Sequence, residues 1–236
     1  MDAIMDLYQY AFGGDLANVL FTISAIVFCW VLSFKHIVSL RIGFIALDIY
    51  GIMVSIFIVG WYGKGVSAFV FASAIFITVN AFLVYRYYKE RDINLIPQSY
   101  RQLYSQTFSL LTPYEFMLMV NASEKKQVEG TLIKNRQVLE NIFVVLDGVV
   151  HVTPANAKPI ELSGVNILGE VGVLSDKIAS ATVDAVGNIT VLQLSLDKLE
   201  KLFQRYPNFK TNIYQIFTLE VRNKIIAMNN FKIREI

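Results

Sequence analysis

Long apolar stretches fill the first third of the chain, and shorter runs of alternating or helical spacing fill the rest. The long stretches cover residues 16–34, 42–62 and 66–85, and Asp48 is the only Asp, Glu, Lys or Arg inside them. About 20 apolar residues suffice for a helix to cross a bilayer core of roughly 30 Å. The pattern therefore predicts three transmembrane helices within residues 16–92.

The basic residues around these stretches are unevenly distributed, and this predicts an orientation. Only Lys64 separates the second stretch from the third, whereas basic residues follow the first and third stretches: Lys35, Arg41, Arg86, Lys89 and Arg91. Lysine and arginine are enriched in cytoplasmic loops. We therefore expect residues 1–15 to be extracytoplasmic and the C-terminal half to be cytoplasmic, in an inner or plasma membrane.

Asp48 and Asn80 are polar residues within the second and third apolar stretches. At 1.5 Å per residue, both lie about 8 to 9 Å from the cytoplasmic ends of their helices. A hydrogen bond from the Asn80 amide to the Asp48 carboxylate would fix how these two helices pack. The alternatives are an ion or proton pathway, or an Asp48 that faces water or a second subunit.

Helical spacing returns after residue 97. Apolar and aromatic residues from Tyr100 to Leu111 predict one helix. The next helix is predicted to start at Thr112-Pro113, because threonine caps a helix, proline suits its first position and Glu115 lies at its third. Two further helices are predicted near the C-terminus, one after Ser195 and one over Phe209–Met228 with an apolar stripe.

Between these helical regions, runs of β-branched and aliphatic residues predict a β-rich domain. The predicted strands are Lys126–Ile133, Asn141–Leu146, Val149–Thr153, Lys158–Leu162, Thr182–Ala185 and Ile189–Leu194. Asp147-Gly148 is a strong signal for a two-residue hairpin turn. The fold class predicted is therefore an α+β membrane protein, with a β-roll flanked by helices after the transmembrane region.

Composition and residue usage narrow the functional classes. Of the 236 residues, 55% are hydrophobic and 17% are charged, and a net charge of +2 without a basic face argues against nucleic acid as a partner. Cys29 is the single cysteine, and neither His36 nor His151 has companions at metal-ligand spacing. No catalytic motif is present, so we expect no enzyme activity, no metal site and no intrachain disulfide.

One stretch, Gly169–Thr182, has the pattern of a phosphate-and-sugar pocket. A glycine precedes the Glu170 carboxylate, and a short apolar turn, a polar loop and Ala181-Thr182 follow. Backbone N–H groups left free by such a turn face an anion, and a carboxylate accepts hydrogen bonds from hydroxyl groups.

These features together resemble the cyclic nucleotide-binding domain over residues 97–231. The matching pieces are Phe143–Val150, Gly169-Glu170 with residues 171–174 behind it, and Ala181-Thr182 at the end of the loop. Within that superfamily the chain resembles Popeye-domain proteins. That narrower resemblance is carried by the three apolar stretches, by Tyr100–Tyr104 and by Tyr206–Phe209.

The resemblance implies a cytoplasmic ligand-binding domain at residues 97–236 and a ligand of the cyclic AMP or cyclic GMP type, with no other cofactor. Glu170 would accept from the ribose 2′-hydroxyl, Gly169 would allow close approach, and donors of Ser180 and Ala181 would face the phosphate. The full set of implied binding residues is Gly169, Glu170, Val171, Lys177, Ala179, Ser180, Ala181 and Thr182.

Ala179 departs from the family pattern, because it stands where the family places a phosphate-binding arginine. A methyl group replaces neither the donors nor the charge of a guanidinium group, and the loss costs about one to two decades of affinity. Lys177 is the nearest candidate for a substitute cation. A degenerate pocket that binds nothing, or a pocket for another anion, is the alternative.

Two functions follow from these expectations. One is a membrane-anchored cyclic nucleotide sensor in which the last helix closes over the base. The other is a membrane scaffold with a degenerate pocket. In the scaffold the last helix forms a homodimer seam through Val221 and Ile225, or the domain contacts another membrane protein. Membrane lipid is a partner in both.

Overall fold

The structure, a computed structural model, describes residues 15–60, 65–155 and 159–234, with side chains over the same ranges except 15–22, 58–59 and 227–234. The chain divides into two units, Met1–Lys89 and Glu90–Ile236. Apart from the backbone of Asp15, the predicted extracytoplasmic segment 1–15 lies outside the described residues.

The described part of the first unit is helical, with α1 at Asp15–Leu32, α2 at Ile37–Val59 and α3 at Val66–Glu90. Within α2 and α3, Ile37–Phe57 has 21 residues and Val66–Glu90 has 25, with mean hydropathies of 1.9 and 2.1. Length and composition make these two helices able to cross a membrane, and little of either is buried within the chain. The side chains of α1 are described only from Ile23 onward, which is shorter than a full span.

The polar residues of α2 and α3 have different partners from those expected. The Arg41 guanidinium Nη1 donates to Asn80 Oδ1 at 3.1 Å, and the Asn80 amide Nδ2 donates to the Phe76 carbonyl at 3.0 Å. The predicted bond between Asp48 and Asn80 is therefore wrong. The prediction assumed that the second helix starts at residue 42. Helix α2 instead starts at Ile37, so Arg41 lies within the helix and its side chain reaches Asn80.

The second unit opens with a 3₁₀ turn at Ile93–Leu95, followed by α4 at Gln98–Thr107 and α5 at Pro113–Ala122. The predicted start of α5 is confirmed. Thr112 Oγ1 accepts from the Glu115 N–H at 3.2 Å, and Glu115 Oε2 accepts from the Thr112 N–H at 2.8 Å. This reciprocal capping box satisfies two backbone donors at the helix start.

Thr112→Ala removes that cap and is expected to destabilise α5 by about 1 kcal/mol. Thr112→Ser keeps the hydroxyl and serves as the matched control. Hydrogen exchange at the α5 amides of the full chain measures the difference. Equal exchange in the two variants would mean that packing alone holds the helix start.

The β-roll is one antiparallel sheet of five strands in the order β1-β5-β2-β3, with β4 also paired to β2. Its strands are β1 (Glu124–Ile133), β2 (Asn141–Pro154), β3 (Ile160–Ser163), β4 (Asn166–Leu168) and β5 (Ala181–Ser195). Helix α6 (Glu170–Leu174) is a single turn between β4 and β5, and α7 (Leu196–Arg205) and α8 (Pro207–Arg234) follow.

The predicted hairpin at Asp147-Gly148 is wrong, because β2 continues through these residues. Asp147 pairs with Thr190 and Val149 with Val186, and the pairing register shifts between them. Gly148 has φ +117, and a Cβ there would lie 2.4 Å from Ile189 Cγ2. Glycine at this position therefore permits a β-bulge and allows β2 to pack closely against β5, and no turn forms here. The two segments predicted around Gly187 are likewise one strand, β5.

The core of the second unit lies between the roll and its helices. Phe108 and Phe116 from the N-terminal side, and Phe209 and Ile213 from α8, are fully buried. The Tyr104 hydroxyl donates to the Leu111 carbonyl at 2.9 Å and ties α4 to the segment before α5. Helix α8 is therefore anchored to the roll at its N-terminal end, and its later turns pass the Gly169-Glu170 turn.

Candidate functional site

The turn at Gly169 places the carboxylate of the candidate site. Gly169 has φ +93, and a Cβ there would lie 2.9 Å from Leu139 Cδ2. A side chain at this position would be strained in its backbone and would also displace its neighbour. Glycine therefore allows the chain to leave β4 and enter α6 at Glu170 beneath the β1–β2 connection.

Glu170 is 3% exposed and is paired with a residue of the C-terminal helix. Lys224 Nζ lies 2.6 Å from Glu170 Oε1, and the same ammonium group donates to the Ile167 carbonyl. A buried carboxylate without a partner is costly, and this ion pair satisfies it. The acceptor expected for a ligand hydroxyl is thus occupied by the protein's own lysine.

A cavity of about 220 Å³ lies beside this ion pair. Glu170 and Lys224 are the charged side chains among the described residues that line it. Most other lining residues are aliphatic, including Ile133, Leu139, Val152, Leu168 and Val183 from the roll and Val221 and Ile225 from α8. The cavity therefore presents one polar side and a largely apolar remainder, closed on one side by the last helix.

Ala179 lies in the cavity wall and is 4% exposed. Its N–H donates to the Gln137 carbonyl and its carbonyl accepts from the Arg136 N–H, both at 2.9 Å. The Leu139 N–H also donates to the Lys177 carbonyl at 2.7 Å. The backbone at the position of the missing arginine is thus committed to the β1–β2 connection.

Lys177 does not line this cavity. Its ammonium group pairs with Glu200 of α7, at a second cavity of about 270 Å³ that also includes Lys210 and Tyr214. The hydrogen bond and charge of Glu200 raise the pKa of Lys177, so its charge is held there. The structure therefore places the expected substitute cation away from the candidate pocket.

The other predicted binding residues also divide into those that line the cavity and those that do not. Val171, Ser180 and Ala181 line the cavity beside Gly169 and Glu170. Thr182 is not part of that lining, and its hydroxyl accepts from the Asn135 N–H at 3.2 Å. Six of the eight predicted residues are thus brought together, and Lys177 and Thr182 instead hold the loop.

The predicted binding residues included none from α8, although the last helix was expected to close over the base. Val221 and Ile225 had been expected at either a lid or a dimer seam, and the structure places both on the cavity. Lys224, which also lines the cavity, was not among the predicted binding residues. Nearby Glu220 has its pKa raised, first by burial and further by Glu170, while Lys224 opposes the shift.

Comparison with known proteins agrees with this geometry. Residues 128–206 match the family model of the cyclic nucleotide-binding domain. This part of the chain is a cyclic nucleotide-binding domain. The match includes β2, the Gly169-Glu170 turn and the loop that carries Ala179.

Three solved structures are similar to parts of this chain. A protein from Geobacter metallireducens GS-15, described as cyclic nucleotide-binding, has a TM-score of 0.49 at 14% identity over 55% of this chain and 99% of its own. The Thermus thermophilus catabolite activator protein gives 0.41 at 18% over 51% and 60%. The regulatory domain of Toxoplasma gondii PKA, co-crystallised with cAMP, gives 0.43 at 18% over 51% and 47%. No curated protein matches the sequence.

Proposed function

We propose that this protein is a membrane-anchored regulatory module whose cyclic nucleotide-binding domain responds to a cyclic AMP-type ligand. The observation that carries the proposal is the cavity between Glu170 and α8. It contains the Gly169-Glu170 turn to which the family resemblance assigns the ligand, and its wall includes the last helix. A ligand in this cavity contacts the roll and the helix together, so occupancy and helix position are linked.

In this proposal the ribose of the ligand binds at Glu170. The carboxylate accepts from the 2′-hydroxyl while the base packs against the aliphatic wall formed with Val221 and Ile225. Before binding, Glu170 is held by Lys224, so the ligand must share or replace that contact. A ligand can change the position of α8 only if it binds one position of the helix more tightly than the other, and only by the free energy of that difference.

The membrane anchor is the first unit. Helices α2 and α3 are long and apolar enough to span a bilayer, and the first predicted span, residues 16–34, overlaps α1. With the uneven distribution of lysine and arginine, this favours a Popeye-like arrangement with an external N-terminus and the nucleotide-binding domain in the cytoplasm. The role is regulatory and involves no chemical step.

A scaffold function is the second candidate, and one specific observation favours it. Glu170 is already satisfied by Lys224, and Ala179 contributes neither charge nor a side-chain donor. In that case the ion pair simply closes an unused pocket. Val221 and Ile225 line the cavity, and a homodimer seam on the opposite face of α8 would use Leu219, which is 44% exposed.

Calorimetry of the full chain in detergent micelles, titrated with cyclic AMP and cyclic GMP, separates the two functions. The sensor predicts binding that Glu170→Ala weakens by about 10-fold or more, because a hydrogen bond to a charged group is lost. Glu161→Ala, at an exposed carboxylate paired with His151, is the matched control and should bind as the unmodified chain does.

Absence of heat and of a thermal shift at millimolar nucleotide would reject the sensor and favour the scaffold. Binding that survives Glu170→Ala unchanged would place the ligand outside this cavity.

A further inference from the structure

We propose that Lys224 is the residue that binds the anionic group of the ligand, in place of the arginine that the loop lacks. The inference rests on the proposed function and specifies its ligand contact. The cation of the pocket then comes from the C-terminal helix and not from the loop that follows α6.

The first argument is the distribution of positive charge around the cavity. Lys224 is the only lysine or arginine among the described residues that line it. The loop position that would carry the charge is Ala179, and the loop's own Lys177 is paired with Glu200. Among the described residues, Lys224 is therefore the one positively charged side chain that an anion inside this cavity would meet.

The second argument is the hydrogen-bonding capacity of the lysine. An ammonium group has three N–H donors. One is directed to Glu170 Oε1 at 2.6 Å and another to the Ile167 carbonyl. The third has no hydrogen-bond partner among the residues whose side chains the structure describes, so it is available to a ligand. The Lys224 side chain is 19% exposed, so that donor acts in a partly desolvated site, where a charged hydrogen bond is stronger than in water.

The third argument concerns the carboxylates that face this lysine. Glu170 and Glu220 both interact with Lys224 and with each other. A phosphate added beside two carboxylates and one ammonium is repelled, and a hydrogen bond that the same ligand donates to Glu170 offsets part of that cost. The ribose hydroxyl is such a donor. A ligand with a hydroxyl and an anion in one rigid ring therefore suits the pair better than a simple anion does.

The consequence is a direct coupling between ligand charge and helix position. In a pocket with the arginine on the loop, the phosphate holds the loop. Here the phosphate holds α8 through Lys224 while the sugar holds the roll through Glu170. The ligand would thus replace an ion pair inside the protein with a bridge between the same two elements.

The test compares cyclic AMP with adenosine, which has the sugar and base but no phosphate. Dissociation constants are measured on the full chain in detergent micelles. Lys224→Met should weaken cyclic AMP binding by about 10- to 100-fold, the range for a lost charged hydrogen bond, and leave adenosine binding nearly unchanged. Lys224→Arg should retain cyclic AMP binding to within a few-fold. Glu220→Gln should tighten it.

Two variants guard against indirect effects. Lys210→Met removes another lysine of α8, which lies over the Tyr214 ring at 5.7 Å, and should bind both ligands as the unmodified chain does. Lys224→Met leaves Glu170 buried without its partner, so a Glu170→Gln/Lys224→Met double variant is compared with Glu170→Gln alone. The additional loss should again be confined to cyclic AMP.

Equal losses for cyclic AMP and adenosine, or no loss for either, would overturn the role of Lys224 while the proposed function stands. If the unmodified chain binds no cyclic nucleotide at millimolar concentration, the proposed function fails and this inference fails with it.

Discussion

Gly148→Ala is expected to lower the free energy of unfolding of the second unit by about 3 kcal/mol. Two effects add. A φ of +117 is unfavourable for alanine by about 1 to 2 kcal/mol, and the new Cβ would lie 2.4 Å from Ile189 Cγ2 and 3.2 Å from the Ile189 Cα. Because Ile189 is 1% exposed, it has no free space into which to move. Hydrogen exchange at the β2 and β5 amides measures the loss.

Gly187→Ala is the matched control within the same pair of strands. Gly187 has φ +76, but nothing lies within 4 Å of a Cβ built there. This variant therefore reports backbone strain without the clash and should cost about 1 to 2 kcal/mol. If the two variants lost the same amount, the contact between Gly148 and Ile189 would contribute nothing, and the bulge would rest on backbone conformation alone.

Phe209→Ala should destabilise the second unit by about 3 to 5 kcal/mol, the usual cost of deleting a buried phenylalanine side chain. Phe209 is fully buried, and its ring lies 5.9 Å from that of Phe203, centroid to centroid. The cavity left behind would loosen the start of α8, which carries Lys224 over the pocket. Hydrogen exchange should therefore rise along α8 as well as in the sheet.

Leu219→Ala is the control on the same helix, since Leu219 is 44% exposed. Truncation of a surface side chain usually changes stability by no more than about 0.5 kcal/mol. Should Leu219→Ala destabilise the full chain as strongly as Phe209→Ala does, that face of α8 would be buried in an assembly, as the scaffold function requires.

Local patterns predicted the fold well where one short segment determines the structure. Thr112-Pro113 and Glu115 supply every side chain of the capping box, so the start of α5 could be predicted from the sequence. Asp147-Gly148 was misread because the same dipeptide suits a tight turn and a bulge, and the choice depends on β5. The pairing with β5 on both sides of Asp147-Gly148 shows that β2 continues through this dipeptide. Strand β5 has its own glycine with positive φ, Gly187, near the same bulge.

The sequence predicted the part of the candidate cavity that is formed by one continuous segment. Gly169-Glu170 and the cavity-lining part of the loop are adjacent in sequence, and their geometry follows from the glycine. Lys224 is 54 residues from Glu170, and its contact depends on the rotation of α8 about its axis. An apolar stripe identifies the buried face of a helix, but it does not reveal which polar neighbour turns inward.

The loop after α6 is held on two sides, by the Ala179 backbone against the β1–β2 connection and by Lys177 against Glu200. A segment with such fixed neighbours is preorganised, so little conformational entropy remains to be lost when a molecule binds beside it. In the proposed function, affinity is then limited by the exchange of partners at Glu170. Variants that loosen the Lys177–Glu200 contact should make binding entropically less favourable without touching the ligand.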